Sequence, residues 1–490
     1  MLLRRALVLL ASTAVAVGTL ASPGTAGATG DATSYAASYA GGTDPRAAGA
    51  WKVVSTGSVH ALAEISTART GDGVVHAFYR QDTGALGAQV EHAALSASGT
   101  PTTHSSVVSL GSVSEAYPAM VTPAGGLRVV FAGLGDGPAG DGRPAEATSD
   151  VSGAAWTVQP RALLKNGSAY AGYGLGATVL PSGVPVTAAT SLGSHTWRVG
   201  AIETTDPAAR NTAPDDQLTT MPSCCAYHTT LVSSGDAVWM AWYQNGDSEA
   251  DNGVFAQQIH PAPGPVLKAP GSSVGGSSSA ADQSIAMVAR PGGGVVMAYR
   301  RGYLDASVGL WQVGSGTAAT VPGSRGLDRV SLSTTPTGRL WLGWTDDSGD
   351  VHVTRTGTTG FATGTPASIP APSGSTVWDM AIDGSDKDAV VLVNDSDTNR
   401  VLATVVPPPL TESARPKSIK VGVTTKVAFK VTEGGRAVKG AKVVGGGRKC
   451  TTNATGSCRL ALSPRKPGRL KVTAKKRGYR TVTFVLRVKR

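Results

Sequence analysis

The chain has 490 residues, 41% hydrophobic and 16% charged, with 63 Gly and 29 Pro. That composition excludes a coiled coil or a long helical bundle, which need far more Glu, Lys and Leu, and glycines without a three-residue period exclude collagen. The net charge of +11 is spread unevenly along the chain.

The first element is a leader. Arg4 and Arg5 precede a soft apolar run from Ala6 to Ala21 and then Ala26-Gly27-Ala28. Charged head, short apolar middle and small-residue cleavage site predict a secretory signal peptide over 1–28, with twin-arginine export as the alternative route. A flexible segment over 29–44 follows, and no later apolar stretch has the length of a membrane span. The expected location is secreted, extracellular or loosely associated with a cell wall.

Over residues 45–406 one pattern recurs seven times: a turn residue, then apolar alternation ending in a small residue and often an aromatic. The copies end at Phe78, Phe131, Ala189, Trp242, Tyr299, Trp344 and Asn394, at steps of 53, 58, 53, 57, 45 and 50 residues. Repeats of this size built from short strands predict a seven-bladed β-propeller, with six blades as the fallback. Residues 51–54 are expected to supply the strand that closes the ring. The turns after the copies share one face of the disc. Among them, Asp346, Ser348 and Asp350 read either as a hairpin turn or as part of a calcium loop. Pro261 to Ala280 is expected to be a long inter-blade loop.

Four cysteines come as two close pairs. A Cys450–Cys458 bridge closes a small loop. A Cys224–Cys225 bridge would be vicinal and strained, since adjacent Cα atoms lie ~3.8 Å apart and disulfides usually span ~4.4–6.8 Å. Free thiols or a bridge to the other pair are the alternative. Cys224, Cys225, Tyr227 and His228 precede the strand holding Trp242 and Tyr243. A rigid apolar disulfide beside aromatics suits a sugar ring, so these six form the candidate ligand site; the competing reading makes the tryptophans inter-blade core. No nucleophile elbow, zinc spacing, phosphate loop or dinucleotide fingerprint is present, so no catalytic residue, metal ligand or cofactor is assigned.

A Pro-rich linker is expected over 407–415 and a small basic β-sandwich over 416–490. Residues 411–490 hold 22 Lys plus Arg against two acids, Glu412 and Glu433, a net +20, whereas the rest of the chain holds 22 basic and 31 acidic residues, a net −9. Lys426, Ala428 and Lys430 alternate with Val427, Phe429 and Val431, the period of half-buried strands. Such a charge predicts adhesion to an anionic polymer such as teichoic acid, acidic polysaccharide or extracellular DNA. Nucleic acid is the least favoured, because the tail has only three aromatics, Phe429, Tyr479 and Phe484, and no stacking platform.

Two resemblances add to this. Thr148 to Trp156 resembles a degenerate Asp-box, the hairpin of sialidase-like propellers, and Thr190 to Trp197 is a fainter copy; the Cys224-Cys225 segment is similar to blades of secreted bacterial proteins of that kind. That likeness implies a propeller over roughly residues 50–405. Sialidases bind a carboxylate with three arginines and use a Tyr–Glu pair and an Asp acid/base, but their Arg-Ile-Pro motif is missing, and Arg80, Arg300 and Arg301 read mainly as turn residues. The segments Val438 to Val443, Thr452 to Gly456 and Pro467 to Tyr479 resemble the carboxypeptidase-regulatory, transthyretin-like Ig-type module. The expected whole is all-β. It is a secreted, non-catalytic propeller binding a glycan or protein, with a cationic Ig-like module on an anionic cell-surface polymer. The alternatives are a sialidase-like glycoside hydrolase or lyase acting on extracellular polysaccharide, and a targeting subunit of a secreted assembly.

Overall fold

The computed structural model describes residues 51–490 apart from 62, 84–86, 111, 114–116, 135–144, 160–174, 194–195, 204–216, 221–225, 245–247, 273–283, 303–305 and 373–376. The expected leader and the segment 29–44 lie outside the described residues. Gly41–Arg490 forms one compact unit, all-β, with no helix among the described residues.

Seven sheets share one build, four antiparallel strands in meander order. Sheet 1 is Ser66–Arg69, Val75–Asp82, Ala88–Leu95 and Pro101–Leu110; sheet 2 is Ala119–Val121, Leu127–Phe131, Ala145–Ser149 and Thr157–Val158. Sheet 3 is Leu175–Val179, Pro185–Gly193, Thr196–Glu203 and Gln217–Thr220; sheet 4 is Ala226–Ser234, Ala237–Gln244, Gly253–His260 and Leu267–Lys268. Sheet 5 is Ile285–Arg290, Gly294–Arg301, Ser307–Gln312 and Ala319–Thr320; sheet 6 is Leu327–Thr334, Leu340–Asp346, Val351–Arg355 and Ala367–Ile369. Sheet 7 takes Val377–Gly384, Ala389–Asp395 and Arg400–Val406 from its own stretch of chain. Its outer strand, Lys52–Val53, comes from the other end of the ring, pairing Lys52 with Ala403 and Val53 with Leu402.

All seven repeat copies fall on the second strand of a sheet. The turn residue before them belongs to the first hairpin, where Gly73, Gly125, Gly183 and Gly338 take φ of 89°, 88°, 88° and 80°, a conformation that a Cβ would strain. The aromatics ending the copies fill the gaps between sheets. Phe78 and Phe131 meet between sheets 1 and 2, Trp242 packs between 3 and 4, Tyr299 between 4 and 5, and Trp344 between 5 and 6. Val75 and Tyr79 meet Leu392 and Val401 between sheets 1 and 7. First strands lie beside first strands in cyclic order, and the last, Val377–Gly384, neighbours Ser66–Arg69 of sheet 1. The ring closes both through its core and through the borrowed strand.

Within the stretch expected as an inter-blade loop, Leu267–Lys268 pairs with Phe255 and Ala256 as the fourth strand of sheet 4; 273–280 lie outside the described residues. The Thr148–Trp156 hairpin joins the third and fourth strands of sheet 2, with Asp150 Oδ1 accepting from Ser152 N–H at 2.9 Å. Trp156 Nε1 donates to Ser105 Oγ at 3.0 Å, which ties the hairpin to sheet 1.

The tail forms two further sheets around one core that includes Val427, Phe429, Val443, Leu460, Val472 and Leu486. Sheet 8 is Thr411–Arg415, Thr425–Glu433, Arg436–Ala437 and Ser457–Leu462; sheet 9 is Ser418–Lys420, Lys442–Gly445, Arg448–Thr451, Gly468–Lys475 and Val482–Lys489. The Cys450–Cys458 disulfide, with Cα atoms 6.0 Å apart, joins sheet 9 to sheet 8. The linker expected over 407–415 is shorter than the prolines suggest. Thr411–Arg415 pairs with Thr425–Glu433, Leu410 and Ala414 are core, and Arg480 N–H donates to the Pro408 carbonyl at 3.0 Å. Alternation of Glu412 and Ala414 inward with Ser413 and Arg415 outward makes this segment a strand.

The sandwich is fixed to the ring. Glu433, 5% exposed, accepts at 2.8 Å from Nη1 of Arg339, just before the second strand of sheet 6, and at 2.9 Å from Nε of Arg355, at the end of its third. Arg480 Nη1 also donates to the Pro366 carbonyl at 3.1 Å.

Candidate functional site at the mouth of the ring

The chain enters each of the seven sheets along its first strand, so the starts of these strands share one end of the ring. Three of them carry a β-bulge there. In sheet 4, His228 and Thr229 stand opposite the single residue Trp242; in sheet 6, Asp328 and Arg329 stand opposite Thr345; in sheet 7, Trp378 is the extra residue between Val377 and Asp379. A bulge breaks the alternation and re-aims the side chains beside it. His228 additionally sits at φ 54°, a left-handed value uncommon for a residue with a Cβ.

The re-aimed groups converge on the segment before the first strand of sheet 1. His228 Nδ1 lies 3.1 Å from Glu64 Oε1. Sheets 2 and 3 separate sheet 1 from sheet 4 in chain order, so this contact reaches across the ring. From sheet 7, Asp379 Oδ2 accepts the Ile65 N–H at 2.6 Å. The Arg329 guanidinium lies 4.8 Å from the centre of the Trp378 ring, and its Nε donates to the Trp378 carbonyl. Two residues before the first strand of sheet 2, the buried Tyr117 hydroxyl donates to the Glu64 carbonyl and accepts the Arg80 N–H at 3.0 Å.

The segment itself is pinned from sheet 7, where Asn394 Nδ2 donates to the carbonyls of His60 at 3.0 Å and Ala63 at 2.8 Å. This accounts for the seventh repeat copy ending without an aromatic: its last position holds Glu64 in place.

Burial, reinforced by the Glu64 carboxylate, pushes the Asp379 carboxyl from 3.8 up to about 7, against the Ile65 hydrogen bond and the Arg329 charge. An acid with such a pKa exchanges its proton near neutrality. His60, beside Arg80, is held below its usual range chiefly by burial. The mouth therefore offers a half-exposed carboxylate, an acid that titrates near neutrality, an imidazole and a partly exposed indole, with the Arg329 guanidinium buried against that indole.

Of the six expected ligand residues, His228 is at this site. Tyr227 is on the same strand, paired with Tyr243. Cys224 and Cys225 lie outside the described residues. Trp242 and Tyr243 are 1% and 0% exposed and belong to the cores between sheets 3 and 4 and between 4 and 5, so they present no surface to a ligand. Glu64, Arg329, Trp378 and Asp379 were not anticipated. Elsewhere, Arg301 turns outward, donating to Thr320 Oγ1 at 2.8 Å on the outer strand of sheet 5. Asp346 Oδ1 accepts from Ser348 N–H at 2.9 Å and Asp350 N–H at 3.1 Å, so this carboxylate is engaged within the hairpin.

No family model matches the chain, and no curated protein matches it. Similar solved structures are propeller lectins and other propeller proteins. The BP39L lectin from Burkholderia pseudomallei is 13% identical with a TM-score of 0.44, over 76% of this chain and 96% of that one. The Aleuria aurantia lectin in complex with Fucalpha1-6GlcNAc is 12% identical with a TM-score of 0.38, over 83% and 97%. The polysaccharide lyase Uly1 is 9% identical with a TM-score of 0.39, over 67% and 87%.

Proposed function

We propose that the seven sheets are the blades of a seven-bladed β-propeller whose mouth binds a glycan, and that the C-terminal sandwich is an Ig-like module holding this secreted protein on an anionic surface polymer. The observation that carries the glycan reading is the set of three bulges, at equivalent positions of three first strands, that turn His228, Arg329 and Trp378 to the end of the ring where Glu64 and Asp379 meet. Carboxylate, guanidinium and imidazole groups hydrogen-bond sugar hydroxyls, while an indole presents a flat apolar face beside them. The full chain is to be screened on a glycan array and its hits titrated by calorimetry. Trp378→Ala and His228→Ala should weaken binding by roughly tenfold, about 1.4 kcal/mol each, with an unchanged circular dichroism spectrum. No hit on the array, or variants that bind as the parent does, would sink the reading.

A second reading rests on the two carboxyl groups. Hydrolysis needs one group that gives a proton to the leaving glycosidic oxygen and one that takes a proton from the attacking water. Asp379, protonated below about pH 7, suits the first role and Glu64 the second. Incubation of a bound polysaccharide with the protein should then release new reducing ends, and Asp379→Asn should stop it. Absence of cleavage from pH 4 to 8 would leave the mouth as a binding site alone.

A further inference from the structure

The sandwich carries cations on both outer faces, and the two faces arrange them differently. On sheet 8 the outward cations alternate with small residues across the strands: Arg415 opposes Ala428, which opposes Arg459; Lys430 lies between Ser413 and Ser457; Lys426 opposes Ala461. No two cations stand directly opposite. On sheet 9 they do. Lys442 opposes Lys475, Arg469 opposes Arg487, and Lys420 opposes Lys489. Lys471 and Lys449 complete the face, and all eight side chains are exposed.

Directly opposed residues have Cβ atoms about 5 Å apart, where like charges repel and destabilise the sheet. Nothing on the module offsets this. Its two acids, Glu412 and Glu433, are 7% and 5% exposed, and among the described residues no ion pair involves any of the eight cations. One sheet of the module avoids the repulsion by its sequence and the other accepts it three times.

We propose that the outer face of sheet 9, and not that of sheet 8, is the docking surface for a linear polyanion with a phosphodiester in each repeat. The inference rests on the adhesion reading above and adds the face and the chemistry. Cations on residues whose Cβ atoms lie about 5 Å apart can both reach an anion with two free oxygens, and the guanidinium groups of the opposed Arg469 and Arg487 each present a fork to one of them. Along a strand, same-face cations recur every ~7 Å, which suits a chain charged in every short repeat. The face lacks aromatics, and Val444 at 37% exposure is its one large exposed aliphatic. It therefore offers neither a platform for bases nor a wedge for a lipid bilayer.

The test compares two triple variants of the full chain that remove the same three charges: Lys442→Gln with Arg469→Gln and Lys475→Gln on sheet 9, against Lys426→Gln with Lys430→Gln and Arg459→Gln on sheet 8. Binding to poly(glycerol phosphate) is measured across a salt series. The sheet 9 triple should lose roughly tenfold or more in affinity and show a shallower salt dependence, because fewer counterions are released. The sheet 8 triple should lose about twofold. Without polymer, the sheet 9 triple should melt higher than the parent and the sheet 8 triple should not. Equal losses in the two triples would overturn the assignment to one face while leaving adhesion itself intact. A parent chain that ignores the polymer would overturn both readings. A polyuronate bound as tightly would overturn the phosphodiester assignment, and phosphatidylglycerol vesicles bound in the polymer's place, being phosphodiesters themselves, would overturn the assignment to a linear polymer.

Discussion

The mouth of the ring and the outer face of sheet 9 both concentrate charged side chains, by opposite means. At the mouth, each group has a specific neighbour: Glu64 has His228, Asp379 has the Ile65 N–H, Arg329 has Trp378. On sheet 9 cations face cations across the strands. A partnered, half-buried set recognises a particular shape, because displacing any member leaves another unsatisfied. An exposed, single-sign set attracts at a distance and yields to salt. On the reading proposed above the contrast separates selectivity from retention, and the buried Glu433 contact with Arg339 and Arg355 joins the two regions.

That contact is where the comparison breaks with the largest effect. Glu433→Ala leaves Arg339 and Arg355 buried without their carboxylate, and removing one partner of a buried ion pair costs about 3–5 kcal/mol. Denaturant unfolding of the full chain should show the loss, and limited proteolysis should then cut near Pro407 to Pro409. An unchanged midpoint with no new cleavage would mean that the sandwich is not held by this contact.

Buried acids give the next effects, one in each region. Burial alone raises Glu412 of sheet 8 from 4.5 to about 8, and neither of its carboxyl oxygens has a hydrogen-bond partner. The folded state favours the protonated form, so stability is fully present below about pH 4.5 and is lost as pH rises through 8. At one pKa unit per 1.4 kcal/mol the loss amounts to roughly a few kcal/mol. Glu412→Gln should lessen the slope of the stability profile between about pH 4.5 and 8. Asp379 at the mouth has the same sign over a lower window, full stability below about 3.8 and loss as pH rises through 7. Its partial exposure makes the effect smaller. The two windows overlap from about pH 4.5 to 7, so Asp379→Asn should lessen the slope there and leave the slope between pH 7 and 8 to Glu412. A slope between pH 7 and 8 that survives Glu412→Gln, or that Asp379→Asn removes, would mean that the acids are not in the distinct environments described.

The two regions also differ in how far the sequence discloses them. The sheet 9 pattern is readable directly, since Arg469, Lys471 and Lys475 alternate with Leu470, Val472 and Ala474 and period two assigns each to a face. The strand pairing that sets Lys442 against Lys475 is a long-range property and is not readable. In the ring, the seven second strands are legible because hairpin glycines and terminal aromatics mark them. The three first strands that carry the site are not, because a bulge interrupts their alternation. Trp378 between Val377 and Asp379, and Arg329 beside Asp328, stand in no sequence pattern that marks them as site residues. The aromatic strand Trp239 to Tyr243 draws attention in the sequence for the reason that removes it from the site: its large apolar side chains are inter-sheet core. His228 is found from sequence only through its proximity to the cysteines. Its actual partner, Glu64, is 164 residues away.

The smallest effect sharpens the contrast most directly. Lys442→Glu places a carboxylate opposite Lys475 on the outer face of sheet 9, converting a like-charge pair into an opposite one. Exposed cross-strand pairs contribute ~0.2–1 kcal/mol, so the protein should become slightly more stable, with a melting temperature raised by a degree or two at low salt and unchanged at high salt. The same substitution changes the local charge by two units where a polyanion would lie, so polymer binding should fall as stability rises. At the mouth the signs run together: replacing His228 or Asp379 alters a partnered set, and binding should fall without a gain in low-salt stability of the kind seen on sheet 9. A Lys442→Glu variant that loses stability would show that Lys442 already has a favourable role within the folded sheet, and the distinction between a surface strained for retention and a site satisfied for recognition would not hold.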